Sequence, residues 1–475
     1  MNILLVNPNS DIWNAPKQIP LGIAYLASTL EQDGHKVTIL DMNINKNIDS
    51  EIKKDPDLVG FTATTPAIKK VWRLAEQVKT ASQAKIVIGG PHPSALPYES
   101  IEKTGVDVVV VGEGEETLKE ICGRVESKRS LAGVKGIFYK ENGRVSDNGP
   151  RPLIQDIDSL PFPAFHLFNL KEYGNAQPIK DYKKDARSFY IFTSRGCPYG
   201  CIFCSKALYG RTFRPRTPEN VLAEWQILVE DYKATEIGMQ DDIFNLDKKR
   251  ALKICSMIKK NGLDIPWLTC NGIRTNHTDY ELLAEMKKAG CYRVGYGVEN
   301  GSQRVLDFLQ KSQTLEQVEM AFKVTKKVGL ESMGFFMIGN PTETEETIDQ
   351  TIEFAIKLNP DIAHFTISAP FPGTQLRKLI EENGKLLITD WDQYGILEGK
   401  AFFEYGELTS KTVERKWHQA YRRFYLRPRR VMGELVKLNN WKNLPMIAKS
   451  SMRFFVKSSD EKEAPFEKVP VTLEN

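Results

Sequence analysis

The chain has 475 residues, of which 41% are hydrophobic and 27% charged, and its 65 Lys and Arg against 61 Asp and Glu give a net charge of +4. This length excludes a single-module peptide binder, and the composition disfavours a disordered, collagenous or nucleic-acid-wrapping chain. No apolar run reaches the ~20 residues of a membrane span, and the first residues lack the basic and apolar regions of a signal peptide, so we expect a cytoplasmic protein.

Residues 1–140 alternate short β-branched runs with amphipathic helical patterns. The runs cover residues 3–6, 36–40, 57–61, 85–90 and 106–112. Continuous hydrophobic strands separated by helices indicate a parallel sheet that is covered on both faces. The pattern therefore predicts a doubly wound, Rossmann-like α/β domain with five strands, whose ligands bind beyond the carboxyl ends of the strands. An Asn142-Gly143 turn after it predicts a β-hairpin.

The remaining chain divides into four predicted segments. Residues 141–185 form a proline-punctuated linker, and residues 186–375 repeat six β/α units, which fit a partial (β/α)6 barrel of the TIM type. Residues 376–458 are predicted to be helical and basic, with 13 Lys or Arg against two Glu between positions 411 and 457. Residues 459–475 are predicted to be a disordered tail. The chemistry of such a barrel belongs at the carboxyl ends of its strands.

Seven cysteines, an odd number in a long chain, argue against a disulfide framework. Three of them, Cys197, Cys201 and Cys204, have the spacing Cys-x3-Cys-x2-Cys directly after the first predicted barrel strand. Three thiolates from one loop suit a soft metal centre, and a 4Fe-4S cluster takes four ligands, so one iron would stay open. A zinc knuckle is the alternative, and it would need a fourth Cys or His nearby, which is absent. The cysteines that stand alone, predicted to be small buried residues, are Cys122, Cys255, Cys270 and Cys291.

This cysteine motif, with the aromatic Phe203 before its last cysteine, resembles the signature of the radical S-adenosylmethionine (SAM) superfamily. The resemblance implies that the open iron chelates the amino and carboxylate groups of SAM. It also implies that SAM is contacted by residues that follow the strands of the barrel. These are Phe203 beside the cluster, Asp241 and Asp242 near the methionine amino group, Arg274 near the carboxylate, Glu299 near the ribose, and Gly339 and Asn340 near the adenine. A solvated arginine, a helix N-terminal carboxylate and an ordinary turn remain the structural alternatives for the last three of these sites.

The first domain resembles the cobalamin (B12)-binding fold, because Thr62-x-Thr64 followed by Gly89-Gly90 is similar to the Ser-x-Leu and Gly-Gly parts of its pattern. The resemblance implies a corrin above the carboxyl ends of the strands and a nucleotide tail threaded between them. The implied cobalamin contacts are Asn7, Pro8, Thr62, Thr64, Gly89, Gly90, His92, Gly112, Glu113 and Gly114. The Asp-x-His-x-x-Gly loop that supplies a histidine to cobalt is missing, and we interpret His92 as lining the pocket without ligating cobalt. A Rossmann-like domain without a ligand is the alternative.

Together the two resemblances imply a B12-dependent radical SAM enzyme of the class B methyltransferase type. Such an enzyme cleaves SAM to a 5′-deoxyadenosyl radical and methylates an unactivated carbon through methylcobalamin. Two alternatives stay open: an enzyme with the same cofactors that cyclises or rearranges its substrate, and a non-enzymatic cobalamin or redox sensor. The expected partners are a small-molecule, lipid or tetrapyrrole substrate and an electron donor such as flavodoxin or ferredoxin, with no nucleic acid. The basic C-terminal region is interpreted either as a helical cap on the barrel or as a membrane-surface contact.

Overall fold

The computed structural model describes residues 1–9, 18–173, 187–428 and 430–431. The described residues up to Trp417 form one compact unit, and every contact described below lies within it. The predicted tail and residues 429 and 432–458 of the basic C-terminal region, which include most of the predicted membrane-contact segment, lie outside the described residues. Among the described residues, no helix combines the length and the apolar character that crossing a bilayer requires.

The two sheets and their connecting helices follow one another along the chain. The strands are β1 Asn2–Asn7, β2 Lys36–Asp41, β3 Leu58–Thr62, β4 Lys85–Gly89, β5 Val108–Val110, β6 Ile137–Glu141, β7 Arg144–Asp147, β8 Ser188–Ile191, β9 Ser194–Arg195, β10 Arg214–Pro215, β11 Glu236–Met239, β12 Trp267–Thr269, β13 Cys291–Glu299, β14 Glu331–Ile338, β15 Ile362–Ile367, β16 Lys385–Leu386 and β17 Phe403–Glu404. The helices are α1 Leu21–Gln32, α2 Asp49–Ile52, α3 Ile68–Ala81, α4 Pro91–Ala95, α5 Pro97–Ile101, α6 Glu115–Glu126, α7 Pro218–Glu230, α8 Lys248–Lys260, α9 Tyr280–Lys288, α10 Gln303–Phe308, α11 Leu315–Val328, α12 Glu345–Leu358, α13 Gln375–Asn383 and α14 Ser410–Tyr425.

The first sheet has the strand order β2-β1-β3-β4-β5-β6-β7. Strands β1 to β5 pair in parallel, which confirms the five predicted strands, and their order is that of the flavodoxin-like doubly wound fold. The predicted hairpin forms as β6 and β7, but it also pairs antiparallel with β5 and so extends this sheet. Covering the open edge of β5 in this way satisfies backbone groups that would otherwise remain unpaired.

Helices cover both faces of the first sheet, which explains why its strands read as continuous apolar runs. Ile86 and Ile88 of β4 point to one face and pack in the same core as α3, whereas Val87 points to the opposite face, toward α1 and α6. Helix α3 buries residues at positions 68, 71, 74, 75 and 78, the spacing of a single helical stripe. Because β1, β3, β4 and β5 run parallel, the loops after their carboxyl ends lie at the same edge of the sheet, where such folds bind their ligands.

The second sheet contains six parallel strands in the order β15-β14-β13-β12-β11-β8, which confirms the partial (β/α)6 barrel. Local sequence sets where its helices start. Thr217 accepts a hydrogen bond from the Asn220 N–H at the start of α7, and Thr314 and Gln317 form a capping box at the start of α11. Because the six strands run parallel, the loops that follow them all lie at one end of the barrel.

A segment after the barrel, residues 390–394, docks on the first domain. Lys69 Nζ lies 2.9 Å from Asp390 Oδ1, and the Trp391 Nε1–H donates to Glu99 Oε1 at 2.9 Å. The Trp391 ring packs edge-on against His92, with 5.3 Å between the ring centroids. His92 is 0% exposed, and its ring lies in this aromatic contact. It is not among the residues that line the cavity of the first domain, so its place in a cobalamin pocket stays a prediction.

Burial in this contact makes the stability of the first domain depend on pH. Burial lowers the pKa of His92 to about 4, against about 6.5 in an unfolded chain, although Glu99 Oε2 lies 3.7 Å from Nε2. Between pH 6.5 and pH 4 the His92 ring is protonated in the unfolded chain but not in the folded chain. The free energy of unfolding therefore falls as the pH drops below about 6.5. We expect a loss of about 2 kcal/mol at pH 5 relative to pH 7 from this group. Urea unfolding of wild type and His92→Gln at both pH values measures it, and equal losses in the two proteins would contradict the assignment.

Candidate active site

The three clustered cysteines lie on one loop, residues 196–213, at the carboxyl end of the first barrel strand. The loop is closed at its base by the antiparallel pair of β9 and β10, in which Arg195 lies opposite Arg214. Cys197 and Cys201 are half-buried and Cys204 is exposed, and all three thiols are free. The Cys204 N–H donates to the Cys201 carbonyl at 3.1 Å, a tight turn that brings these two residues together.

The donor set of this loop fits a 4Fe-4S cluster. Within the described ranges, no group of three His, Cys, Asp or Glu side chains could hold a single metal ion. A 4Fe-4S cluster instead takes one thiolate at each of several separate irons, so its ligands need not converge on one point. Three free thiols in one loop supply three of the four positions and leave one iron for another ligand. Of the solitary cysteines, Cys122, Cys255 and Cys291 are buried as predicted, whereas Cys270 is only half-buried.

Gly196 opens the cysteine loop in a conformation that favours glycine. Its φ is +80°, and a Cβ built on it would overlap the Thr212 carbonyl oxygen on the other side of the loop. We expect Gly196→Ala to strain the loop by about 1–3 kcal/mol and to weaken cluster retention roughly tenfold or more. Gly262 is the matched control, since its φ is +66° and a Cβ there meets no atom within 4 Å. Iron content after a chelator challenge measures the effect, and equal retention in both variants would contradict it.

The two predicted aspartates after β11 differ in their surroundings. Asp241 is 2% exposed, and its carboxylate accepts hydrogen bonds from Thr193 N at 2.6 Å and from Ser194 Oγ at 2.7 Å, which ties the end of β8 to the end of β11. Both of its oxygens are engaged inside the protein. Asp242 is exposed beyond the carboxyl end of β11, and its carboxylate accepts a hydrogen bond from the Gly196 N–H at 3.1 Å. It stays a predicted SAM contact.

Arg274 lies directly beside the cysteine loop. Its guanidinium carbon is 3.5 Å from the centroid of the Tyr199 ring, which belongs to that loop. It also donates to the carbonyl oxygens of Lys311 and Ser312, the latter at 3.0 Å, and only 8% of the residue is exposed. The structure thus brings the predicted carboxylate partner next to the cluster loop, and Tyr199 is a neighbour that the sequence analysis did not identify.

Lys311, which was not predicted as a site residue, lies between Glu299 and Phe203. Lys311 Nζ donates to Glu299 Oε1 at 2.6 Å and lies 5.9 Å from the centroid of the Phe203 ring. Glu299 has a φ of +65° next to a register shift in β13, and this turn aims its carboxylate out of the strand. No periodic pattern marks Lys311, because the contact depends on how the α10–α11 turn folds back on β13.

Asn340 lies deep at the end of β14, after Gly339 with its φ of +74°. The Asn340 side chain donates to the Met337 carbonyl at 2.9 Å, and its backbone N–H donates to Glu343 Oε2 at 2.7 Å. The residue is 2% exposed, and its side-chain oxygen has no hydrogen-bond donor within the described part of the chain. Burial raises the pKa of Glu343, the residue that holds this turn, to about 7. Asn340 lines neither of the two cavities described below, so it stays a predicted adenine contact.

A cavity of about 220 Å³ lies between the first sheet and helices α1 and α6. The predicted cobalamin contacts that line it are Thr62, Gly89, Gly90, Gly112, Glu113 and Gly114. Gly90 has a φ of +103°, and a Cβ on it would lie 2.9 Å from Thr62 Oγ1 and 3.0 Å from the Ala63 nitrogen. A mainly apolar cavity with glycines in its wall lets a ligand approach the backbone closely, as the predicted nucleotide tail requires.

The other predicted cobalamin contacts lie outside this cavity. The Asn7 side chain donates to Asp41 Oδ1 at 3.0 Å, and Pro8 is buried. Thr64 is exposed and borders a second cavity of about 230 Å³, which is also lined by Phe371 and Tyr394. These three residues stay predicted cobalamin contacts.

A buried charge cluster joins the cavity to the cysteine loop. Glu113 accepts from Arg195 at 2.8 Å through Oε1 and from Arg214 at 2.7 Å through Oε2, and we call these three residues the Glu113 clamp. Arg195 also donates to Glu115 Oε1 at 2.6 Å. Glu113 lines the cavity as predicted for a cobalamin contact, and its carboxylate binds two arginines that flank the cysteine loop.

Both halves of the chain match known families. Residues 15–122 match the B12 binding domain and residues 191–355 the radical SAM superfamily. An uncharacterized methyltransferase of Pyrococcus horikoshii is 38% identical, over 92% of this chain and 95% of the relative. The anaerobic magnesium-protoporphyrin IX monomethyl ester cyclase of Rubrivivax gelatinosus is 29% identical, over 90% of this chain and 78% of the cyclase.

The fold also agrees with an experimental structure. The radical SAM methyltransferase TsrM from Kitasatospora setae, solved with cobalamin and a 4Fe-4S cluster, superposes with a TM-score of 0.70 over 90% of this chain and 88% of TsrM at 18% identity. The cofactors of this chain are accordingly a 4Fe-4S cluster, SAM and cobalamin. With a B12-binding domain before a radical SAM barrel, and a relative as similar as the Pyrococcus protein, the chain belongs to the cobalamin-dependent radical SAM methyltransferase family.

Proposed function

We propose that this enzyme moves a methyl group from SAM, by way of cobalamin, to an unactivated carbon of a small molecule. The observation that carries the proposal is that the cysteine loop forms one wall of the cobalamin cavity, through Leu208 and Tyr209. An unactivated carbon does not react with an electrophilic methyl donor, whereas the radical that the reduced cluster generates from SAM can remove its hydrogen atom. The shared wall brings the cobalamin cavity next to the loop that would hold the cluster, as a reaction that uses both cofactors requires.

The protein's own groups bind and orient SAM in this proposal. Cys197, Cys201 and Cys204 would hold a 4Fe-4S cluster through three of its irons, and the fourth iron would be open to the SAM amino and carboxylate groups. The Arg274 guanidinium lies against the same loop and supplies positive charge for that carboxylate. Asn340 would accept a hydrogen bond from the adenine amino group through its side-chain oxygen, which has no donor among the described residues. Cofactors carry the hard chemistry, and these side chains fix where it takes place.

The substrate would bind in the second cavity, which Thr64 borders. This space of about 230 Å³ lies between the carboxyl end of β3 and the segment after the barrel, and Phe371, Tyr394 and Leu397 give it apolar walls. Glu398 contributes a carboxylate at its edge. We infer a small molecule with an apolar arm, a one-electron donor such as flavodoxin or ferredoxin, and a cytoplasmic site of action.

Cyclisation without methyl transfer is the second candidate, and the 29% identity to the Rubrivivax cyclase favours it. The two reactions differ in the fate of the SAM methyl group. The reconstituted enzyme is incubated anaerobically with reductant, trideuteromethyl-SAM and a small-molecule extract. A product that carries the intact trideuteromethyl group supports our proposal. Consumption of a substrate together with 5′-deoxyadenosine formation, but without label in the product, would overturn it in favour of cyclisation.

A further inference from the structure

The loop that carries the cluster cysteines is also part of the cobalamin pocket. Arg195, Leu208 and Tyr209, which flank the cysteines on both sides, line the cavity of about 220 Å³ together with glycines of the first domain. Gly112 faces this loop closely, because a Cβ on it would lie 3.8 Å from the Leu208 carbonyl oxygen. A ligand that fills the cavity therefore contacts the loop, and a cluster bound to Cys197, Cys201 and Cys204 would fix the positions of three residues of the same loop.

The Glu113 clamp fastens both ends of this loop at once. Arg195 is the last residue before the loop and Arg214 the first residue after it, and one carboxylate accepts from both. The side chains of all three residues are at most 4% exposed. Glu113 itself lies between Gly112 and Gly114, which form the cavity wall. Because a buried charge without its partner is strongly unfavourable, the loop base and the cavity wall must keep one relative position.

We propose that cobalamin and the 4Fe-4S cluster bind with positive thermodynamic coupling, and that Glu113 is the positioning residue that transmits it. Two ligands that order the same segment bind more tightly together than separately, since the segment is ordered only once. The coupling is reciprocal, so the cluster tightens cobalamin binding by the same factor by which cobalamin tightens cluster binding. Glu113 carries this effect because it joins the wall of one site to the base of the other.

The test measures hydroxocobalamin affinity by anaerobic equilibrium dialysis, with cluster-loaded protein and with protein freed of iron by a chelator. In wild type we expect the affinity to be roughly tenfold higher with the cluster, within the usual range of coupling factors. In Glu113→Gln, which cannot accept from both arginines, we expect the ratio to fall toward one. A purely structural role would weaken both affinities alike and leave the ratio unchanged.

The matched control is Glu331→Gln, whose carboxylate pairs with Arg293 at the amino ends of β13 and β14, and it should keep the wild-type ratio. If Glu113→Gln fails to fold, Tyr209→Ala removes the loop's wall of the cavity while it keeps the clamp, and it should also lower the ratio. A ratio of one in wild type, or a wild-type ratio in Glu113→Gln or Tyr209→Ala, would overturn the proposal. Neither measurement requires turnover, so the outcome is independent of whether a methyl group is transferred.

Discussion

Cys201→Ala is expected to lose its cluster and to form 5′-deoxyadenosine only at background level. The middle cysteine of the loop supplies one of three thiolates, and a cluster left with two has no stable four-iron arrangement. Iron should fall from about four atoms per chain to near zero after anaerobic reconstitution. Cobalamin should still bind to the cavity of the first domain, but more weakly if the coupling proposed above holds. Iron analysis, absorbance and chromatography of SAM products measure these three quantities.

Cys255→Ala is the matched control for this prediction. Cys255 is 1% exposed in helix α8, and its replacement removes one buried sulfur at a cost of about 1 kcal/mol without touching the loop. This variant should keep its iron and its SAM cleavage. Full iron content and SAM cleavage in Cys201→Ala would refute the assignment of the cluster to this loop.

Gly90→Val is expected to abolish cobalamin retention while it leaves the iron content unchanged. The residue lies at the carboxyl end of β4 with a φ of +103°, and a Cβ there would press on Thr62 Oγ1 and on the backbone of Ala63. The backbone strain lowers stability, whereas the overlap displaces Thr62, which lines the cavity, and we expect this change of the cavity wall to lower cobalamin affinity about 100-fold, or about 3 kcal/mol. Cobalt and iron are measured on the same sample after gel filtration.

Gly34→Val provides the comparison for this substitution. Gly34 has a φ of +84°, but a Cβ there meets no atom within 4 Å, so this variant has a similar backbone strain without contact with the cavity. It should lower stability and retain cobalamin. Unchanged cobalt in Gly90→Val, or an equal loss in both variants, would show that the cavity does not take the cofactor tail.

Much of the fold follows from local patterns. The five strands of the first sheet and the six of the barrel each read as an apolar run next to an amphipathic helix, and such periodicity needs no knowledge of distant contacts. The cysteine loop was predictable for the same reason, since Cys197, Cys201 and Cys204 are neighbours along the chain. The glycines of the cobalamin cavity were predictable because Gly89-Gly90 directly follows a strand.

The remaining features depend on contacts between distant residues. The carboxylate of Glu113 pairs with Arg195 and Arg214, and the ring of His92 packs on Trp391, far away in the sequence. No motif around Glu113 or His92 distinguishes a residue that faces a ligand from one that faces another part of the protein. Lys311 was missed for a similar reason, since its contact with Glu299 depends on a turn between two helices.

The central claim is that one chain uses SAM in two ways, as a methyl donor to cobalamin and as the source of a radical at the cluster. The most direct measurement mixes the reduced, cobalamin-loaded enzyme with methyl-labelled SAM in the absence of substrate. The account predicts labelled methylcobalamin with S-adenosylhomocysteine, and 5′-deoxyadenosine with methionine, from the same sample, with the second pair of products missing in Cys201→Ala. Formation of only one of the two pairs by the wild-type enzyme would contradict it.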